Sequence, residues 1–337
     1  MGYAALSCLG DALDATEEFL RPVDRGLWLR LAVVVFFLSG GSGVGSLPNL
    51  SWQFPAGGFG EMPGTVPAGG LPVAQFDEFL PLVVGIAAAF ALAGLLFTMA
   101  GAVMEFVLVD ALRRESVSVR AMFREHLRKG LALFGFYLVV ALVTAGPVAG
   151  LGVLFVLPAL DAGGAALAVG VLVTGLAALV GGLLGALAYV FTVAFVVPTM
   201  LAEDRGLRSA WGRFWAVLWD NPGEFLVYLG IRVALLIAVG IVAGVVVGIA
   251  GAVLVIPFGI VAGVVFLAGG ATLSTVTVLV LGVVAVLYVL VLLAVVALVQ
   301  VPLKTFTRYY ELLVLGDIDP ELDLVSERRE ALRSGSL

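Results

Sequence analysis

Three charged side chains interrupt apolar runs where charge is costly: Glu105, Arg30 and Arg232. An ionised group at the centre of a bilayer costs ~2.5–3.5 kcal/mol on insertion scales. A charge kept there is therefore paired, snorkelling to the surface, or at work on a substrate or proton. All three fall toward the ends of apolar runs that the charge pattern below assigns to the cytoplasm. Arg232 follows Glu224 by eight residues, about 12 Å along a helix and within snorkelling reach of the headgroups. The expectation is a structural intramembrane charge cluster in which Glu105 pairs with Arg30, Arg232 or both. A substrate or proton site is the sharper alternative.

Other reactive residue types are sparse. One cysteine, Cys8, excludes an internal disulfide, and one histidine, His126, leaves no His/Cys set for zinc. Nothing in their spacing makes Ser7, Cys8 and His126 meet as nucleophile and base. The glycines Gly40, Gly41, Gly43 and Gly45 follow an apolar helix and open into a Pro-rich loop, unlike a nucleotide-binding turn. Asp317, Asp319, Glu321 and Asp323 alternate like a calcium loop, but Leu322 and Arg328 stand where glycine and glutamate are needed. A solvated acidic tail over 316–337 is expected. No catalytic set, cofactor, metal or nucleic-acid partner is expected.

The elements that position these residues follow from composition. Of 337 residues, 62% are hydrophobic and 12% charged, against about 25% charged in soluble domains. Phe79 to Met104, Gly130 to Leu160 and Ala162 to Ala202 carry no charge, and Phe225 to Leu303 carries only Arg232. Spans must be helices or a closed barrel, and these runs lack a barrel's alternation of polarity. The fold class predicted is all-α: a polytopic transmembrane bundle of about six helices forming one domain over 1–315.

An amphipathic helix is predicted over 3–20, with Leu6, Leu9, Leu13 and Leu20 toward one face. A short first span near Leu27 to Leu38 comes next, then a Gly/Pro-rich outer loop over 40–78. Later spans begin near Phe79, Leu131, Ala165 and Glu224, with a kink at Pro147. The stretch from Phe225 to Leu303 holds two spans, broken between 257 and 270 by a loop or re-entrant segment. Arginine and lysine gather before the first span, between the second and third, between the fourth and fifth, and after the last, while the intervening loops have none. That asymmetry predicts a multi-pass plasma-membrane protein with both termini in the cytoplasm.

Two segments are predicted as interfacial helices on that side. One carries Arg120, Arg124 and Arg128 between apolar residues at helical spacing. The other carries Trp211, Trp215 and Trp219, a density suited to headgroup level. The four acids of 3–20 are expected to face the bases of 113–129. Small-residue ladders at Gly240, Gly244, Gly248 and at Ala178, Gly182, Ala186 read as packing faces. Val153–Pro158 resembles Val253–Pro257, and Val197-Pro198 resembles Val301-Pro302. These matches fit a repeated helical hairpin, and they fit chance in apolar sequence.

The start Asp11-Ala12-Leu13-Asp14-Ala15-Thr16, the run Trp28-Leu29-Arg30-Leu31-Ala32 with Phe36-Phe37, and Gly206-Leu207-Arg208-Ser209-Ala210-Trp211 with Phe214-Trp215 carry a resemblance. On them the chain resembles a family of uncharacterised haloarchaeal membrane proteins. More distantly it is similar to the membrane domain ahead of glycerophosphodiester phosphodiesterase catalytic domains. None of these segments is a catalytic motif, so the resemblance implies no active-site residue. An acidic, lysine-poor chain suits concentrated salt, as a halophile's would, though GC-rich coding gives the same arginine bias. The functional expectation is a non-enzymatic membrane protein that organises lipid or binds a partner protein through its cytoplasmic face. The alternative is a transporter with a path between repeated hairpins.

Overall fold

A computed structural model describes residues 4–21, 23–41, 73–162, 164–270, 272 and 274–334. Among them every regular element is a helix. The chain runs α1 (Ala4–Leu20), α2 (Arg25–Gly41), α3 (Val73–Arg114), α4 (Val119–Leu151), α5 (Leu157–Ala162), α6 (Gly164–Phe191), α7 (Val197–Ala202), α8 (Leu207–Asp220), α9 (Pro222–Ala268), α10 (Thr275–Ile318) and α11 (Ser326–Ser334). Five stretches are long and apolar enough to cross a membrane: Leu80–Arg114, Val119–Val156, Gly164–Ala202, Pro222–Ala268 and Thr275–Ile318. The short first helix, α2, has 17 residues, about 25 Å of rise. Most of the outer loop over 40–78 lies outside the described residues.

Helices α3, α9 and α10 have 42, 47 and 44 residues, roughly 63–70 Å each. A bilayer core is ~30 Å thick. The surplus changes character along the chain. In α3 the side chains described over 80–96 are exposed and those of Ala102–Leu112 are buried, and in α10 most of 275–300 is exposed while Arg308–Gly316 is buried. Helices α3 and α10 thus each have an exposed apolar stretch and a protein-packed one.

The chain divides into two compact units, one of Met1–Phe19, Ala102–Tyr228 and Phe306–Leu337, the other of Leu20–Gly101 and Leu229–Thr305. The first unit has an aromatic core. Phe195 stacks on Phe214 at 5.4 Å, Phe225 meets both edge-on, and Tyr228 stacks on Tyr310. In the second unit, Phe37 meets Phe97 at 5.0 Å and Phe258 meets Tyr288 edge-on.

Two π-turns interrupt the first unit's helices, Gly152–Val156 and Thr192–Val196. Each begins six residues before a proline, Pro158 and Pro198. Proline lacks an N–H and crowds the carbonyl four residues back, and one extra residue in the turn relieves that crowding. Pro147 lies inside α4, which runs on to the π-turn at Gly152–Val156.

Other expectations shift for physical reasons. The basic segment around Arg120–Arg128 is the first part of α4, continuous with its span, because nothing between Lys129 and Gly135 breaks the helix. Helix α9 passes through Pro257 to Ala268, and a turn begins at Gly269-Gly270, with Gly270 at φ 73°. Helix α1 buries Ala5, Cys8, Ala12, Ala15 and Phe19, leaving Leu6 and Leu13 more than half exposed. Small residues let its backbone come close enough for the Tyr310 hydroxyl to donate to the Ala5 carbonyl at 3.1 Å. The glycine ladders do not set the close approaches. A Cβ at Gly240, Gly244, Gly248 or Gly182 would meet nothing within 4 Å, whereas one at Gly170 would meet the Phe155 carbonyl at 2.7 Å and one at Gly130 the Val103 Cα at 2.7 Å.

Candidate functional site

The first unit's core holds a buried arginine between two buried acids. Arg308 of α10 binds Glu105 of α3, and its Nη1 donates to Glu311 at 2.9 Å and to the Val193 carbonyl at 2.6 Å. All three side chains are nearly sealed from solvent. Val193 lies in the second π-turn, where the Val197 N–H donates to Thr192. The next donor position belongs to Pro198, which has no N–H. The Val193 carbonyl is thereby released from the helix ladder, and the Arg308 guanidinium takes it. Backbone irregularity and buried charge are one construction.

The sequence reading assigned Arg308 to the region after the last span and so missed it as Glu105's partner. Its signal was present: Arg308 and Glu311 stand three apart, and the run Leu312-Leu313-Val314-Leu315 continues the helix beyond Leu303. Arg30 lies exposed on α2 and Arg232 half-buried on α9, both in the second unit.

A second network joins α3 to α4. His126 Nε2 lies 2.9 Å from Asp110 Oδ2, both buried, with His126 stacked on Phe106. Arg114 donates to Asp110 at 2.9 Å and to Glu125 at 2.7 Å. Ligand-type atoms of Asp110, Glu125 and His126 lie within 4.8 Å of one another. Arg114 pairs with both carboxylates, so the network ties α3 to α4. Nearby, Lys129 spans to Asp204 at 2.6 Å and holds its carboxyl below the usual range.

The acidic stretch expected to be solvated is gripped by arginines. Asp317 takes Arg329 and Arg333, Asp323 takes Arg329 at 2.6 Å, and Asp319 and Glu321 both take Arg213. Leu322 and Val325 are buried beneath them. Helix α11 also holds the acids of α1: Arg333 binds Asp11, and Arg328 binds Glu18 and Glu115 while lying over the Tyr309 ring. Asp11 and Glu18 therefore meet the C-terminal helix, not the bases of 113–129. Cys8 Sγ donates to Asp317 at 3.4 Å, and burial, then the Asp317 charge, push its thiol up to about 12.

The expected interfacial residues separate into two kinds. Trp211 is half-buried, its ring 6.0 Å from Phe136, while α8 turns Ala210, Phe214 and Val217 inward. Trp215 and Trp219 remain 51% and 67% exposed and touch each other edge-on at 6.0 Å. Arg120, Arg124 and Arg128 are all exposed on α4 at four-residue intervals, and among the described residues they join no ion pair.

No curated protein and no solved structure matches the chain. A family model does, over residues 3–325. Nearly all of the helical framework just described lies inside that match, and the chain belongs to a family of unknown function, DUF7544.

Proposed function

We propose that the protein is a non-enzymatic multi-pass protein of the plasma membrane that organises anionic lipid at its cytoplasmic surface. The observation that carries the reading is the contrast among arginines of one unit. Arg114, Arg213, Arg308, Arg328, Arg329 and Arg333 are all ion-paired. Arg120, Arg124 and Arg128 are left out in a row on α4, in the unit that also exposes the Trp215–Trp219 pair on a helix packed against α4. Bases near an anionic surface contribute about 1 kcal/mol each, and tryptophan favours headgroup depth. A partner protein with an acidic face is the other occupant this surface suits.

The cytoplasmic location of both termini rests on the arginine asymmetry. Thiols introduced at Ser326 and Ser51 test it: an impermeant reagent should reach the second and not the first in intact cells.

The test of the lipid reading is reconstitution into bilayers of phosphatidylglycerol or phosphatidylcholine, with quenching of tryptophan by brominated lipid. Wild type should be quenched more strongly by the anionic lipid. Arg120→Gln/Arg124→Gln/Arg128→Gln should lose that preference, and equal quenching in wild type would overturn it. The transporter reading draws on the buried Glu105–Arg308–Glu311 set, and solute uptake by wild-type proteoliposomes that Glu105→Gln abolishes would favour it.

A further inference from the structure

The second unit holds an open groove of about 390 Å³ between α2, α9 and α10. Its walls include Val242 and Val246, one turn apart on α9, Leu298, Pro302 and Leu303 on α10, and Trp28 from the first turn of α2. The lining is apolar, and it sits among membrane-length faces whose large apolar residues are exposed, such as Leu236, Ile241 and Val245 on α9 and Leu290 on α10. An open apolar groove among such faces is filled by the phase outside them, which is hydrocarbon.

Charge says which hydrocarbon. Among the described residues of this unit outside 73–78, the bases are Arg21, Arg25, Arg30, Arg232 and Lys304, and the acid is Asp24. Asp24 is committed to the N-terminus of α2, accepting from the Gly26 and Leu27 N–H groups at 3.0 Å. Arg25 is exposed one turn before Trp28 and joins no ion pair among the described residues. Lys304 follows Leu303 directly.

We propose that this groove binds one anionic phospholipid, its chain against Val242, Val246, Leu298 and Trp28, its phosphate toward Arg25 and Lys304. The proposal rests on the lipid reading above but uses a different unit and different residues.

Native mass spectrometry of the full chain in mild detergent, titrated with phosphatidylglycerol or phosphatidylcholine, tests it. Wild type should retain one phosphatidylglycerol. Val246→Trp, which fills the groove from an exposed position, should weaken retention at least tenfold. Arg25→Gln should cut the preference for phosphatidylglycerol severalfold. Arg120→Gln/Arg124→Gln/Arg128→Gln should keep the retained lipid while losing the quenching preference. Retention unchanged in Val246→Trp would overturn the groove and leave the α4 surface standing, and so would a dimer that Val246→Trp dissociates without change in lipid. Loss of retention in the triple variant alone would overturn the groove as well.

Discussion

Replacing Arg308 by methionine should be the most damaging single change in the buried charge set. The side chains of Arg308, Glu105 and Glu311 are 6%, 5% and 1% exposed, so water cannot take over when a partner is lost. Arg308→Met would take the guanidinium from two buried carboxylates and the Val193 carbonyl together, a loss of ~3–5 kcal/mol for a broken buried pair. Glu105→Gln leaves Arg308 still bound to Glu311 and Val193, so its cost should be nearer one charged hydrogen bond, about 1.5–3 kcal/mol. The triple variant Glu105→Gln/Arg308→Met/Glu311→Gln strands no charge. It should recover much of the loss, because neutral replacement of a whole buried set is often close to neutral in stability. Thermal unfolding in one detergent at one scan rate gives the order: wild type highest, then Glu105→Gln, with Arg308→Met lowest and the triple variant above it. Adding Arg30→Met or Arg232→Met to Glu105→Gln shows whether either arginine couples to the set, as non-additivity. A triple variant that falls by the sum of its single losses would refute the reasoning, as would an Arg308→Met protein as stable as Arg120→Gln.

Gly170→Ala and Gly130→Ala should each lower stability by ~1–3 kcal/mol, since the new methyl meets the Phe155 and Val156 backbone in the first case and both the side chain and the Cα of Val103 in the second. Gly244→Ala, with open space around it, should be neutral or raise helix stability by up to ~1 kcal/mol, and the same melting measurement separates the two classes. Cys8 should react slowly with a thiol reagent at pH 8, because a thiol held at about 12 carries little thiolate there. Asp317→Asn removes the neighbouring charge and should speed labelling, and an unchanged rate would show that burial alone protects the sulfur.

The apolar runs made the helices legible, but five stretches are long and apolar enough to span where about six were expected, because α2 has only 17 residues. Partners were less legible, for reasons that individual residues show. Helical spacing in α1 put Leu6, Leu9, Leu13 and Leu20 toward one face, yet Leu6 and Leu13 are exposed while Ala5, Ala12 and Ala15 go inward, where small side chains permit the close approach to Tyr310. Glu105 was recognisable as a costly charge, but choosing Arg308 over the other arginines required knowing that α10 continues to Ile318. The alternating acids after Leu315 resembled a solvated tail because their counter-charges, Arg213, Arg329 and Arg333, lie far off or beyond a turn in the chain. The exposure of Trp215, Trp219 and the row from Arg120 to Arg128 was readable, because an aromatic or basic stripe with no matching partner in the sequence belongs at a surface.

A proline in a long helix usually counts as a defect that alanine would repair. At Pro198 the repair would do harm. Alanine would return an N–H to the position that proline leaves vacant, letting the strand of carbonyls re-zip through Val193. Arg308 would then compete with the helix's own backbone for an oxygen it now holds undisputed. The proline works as an insulator, keeping one main-chain dipole off the internal circuit so that a side chain from another helix can plug into it.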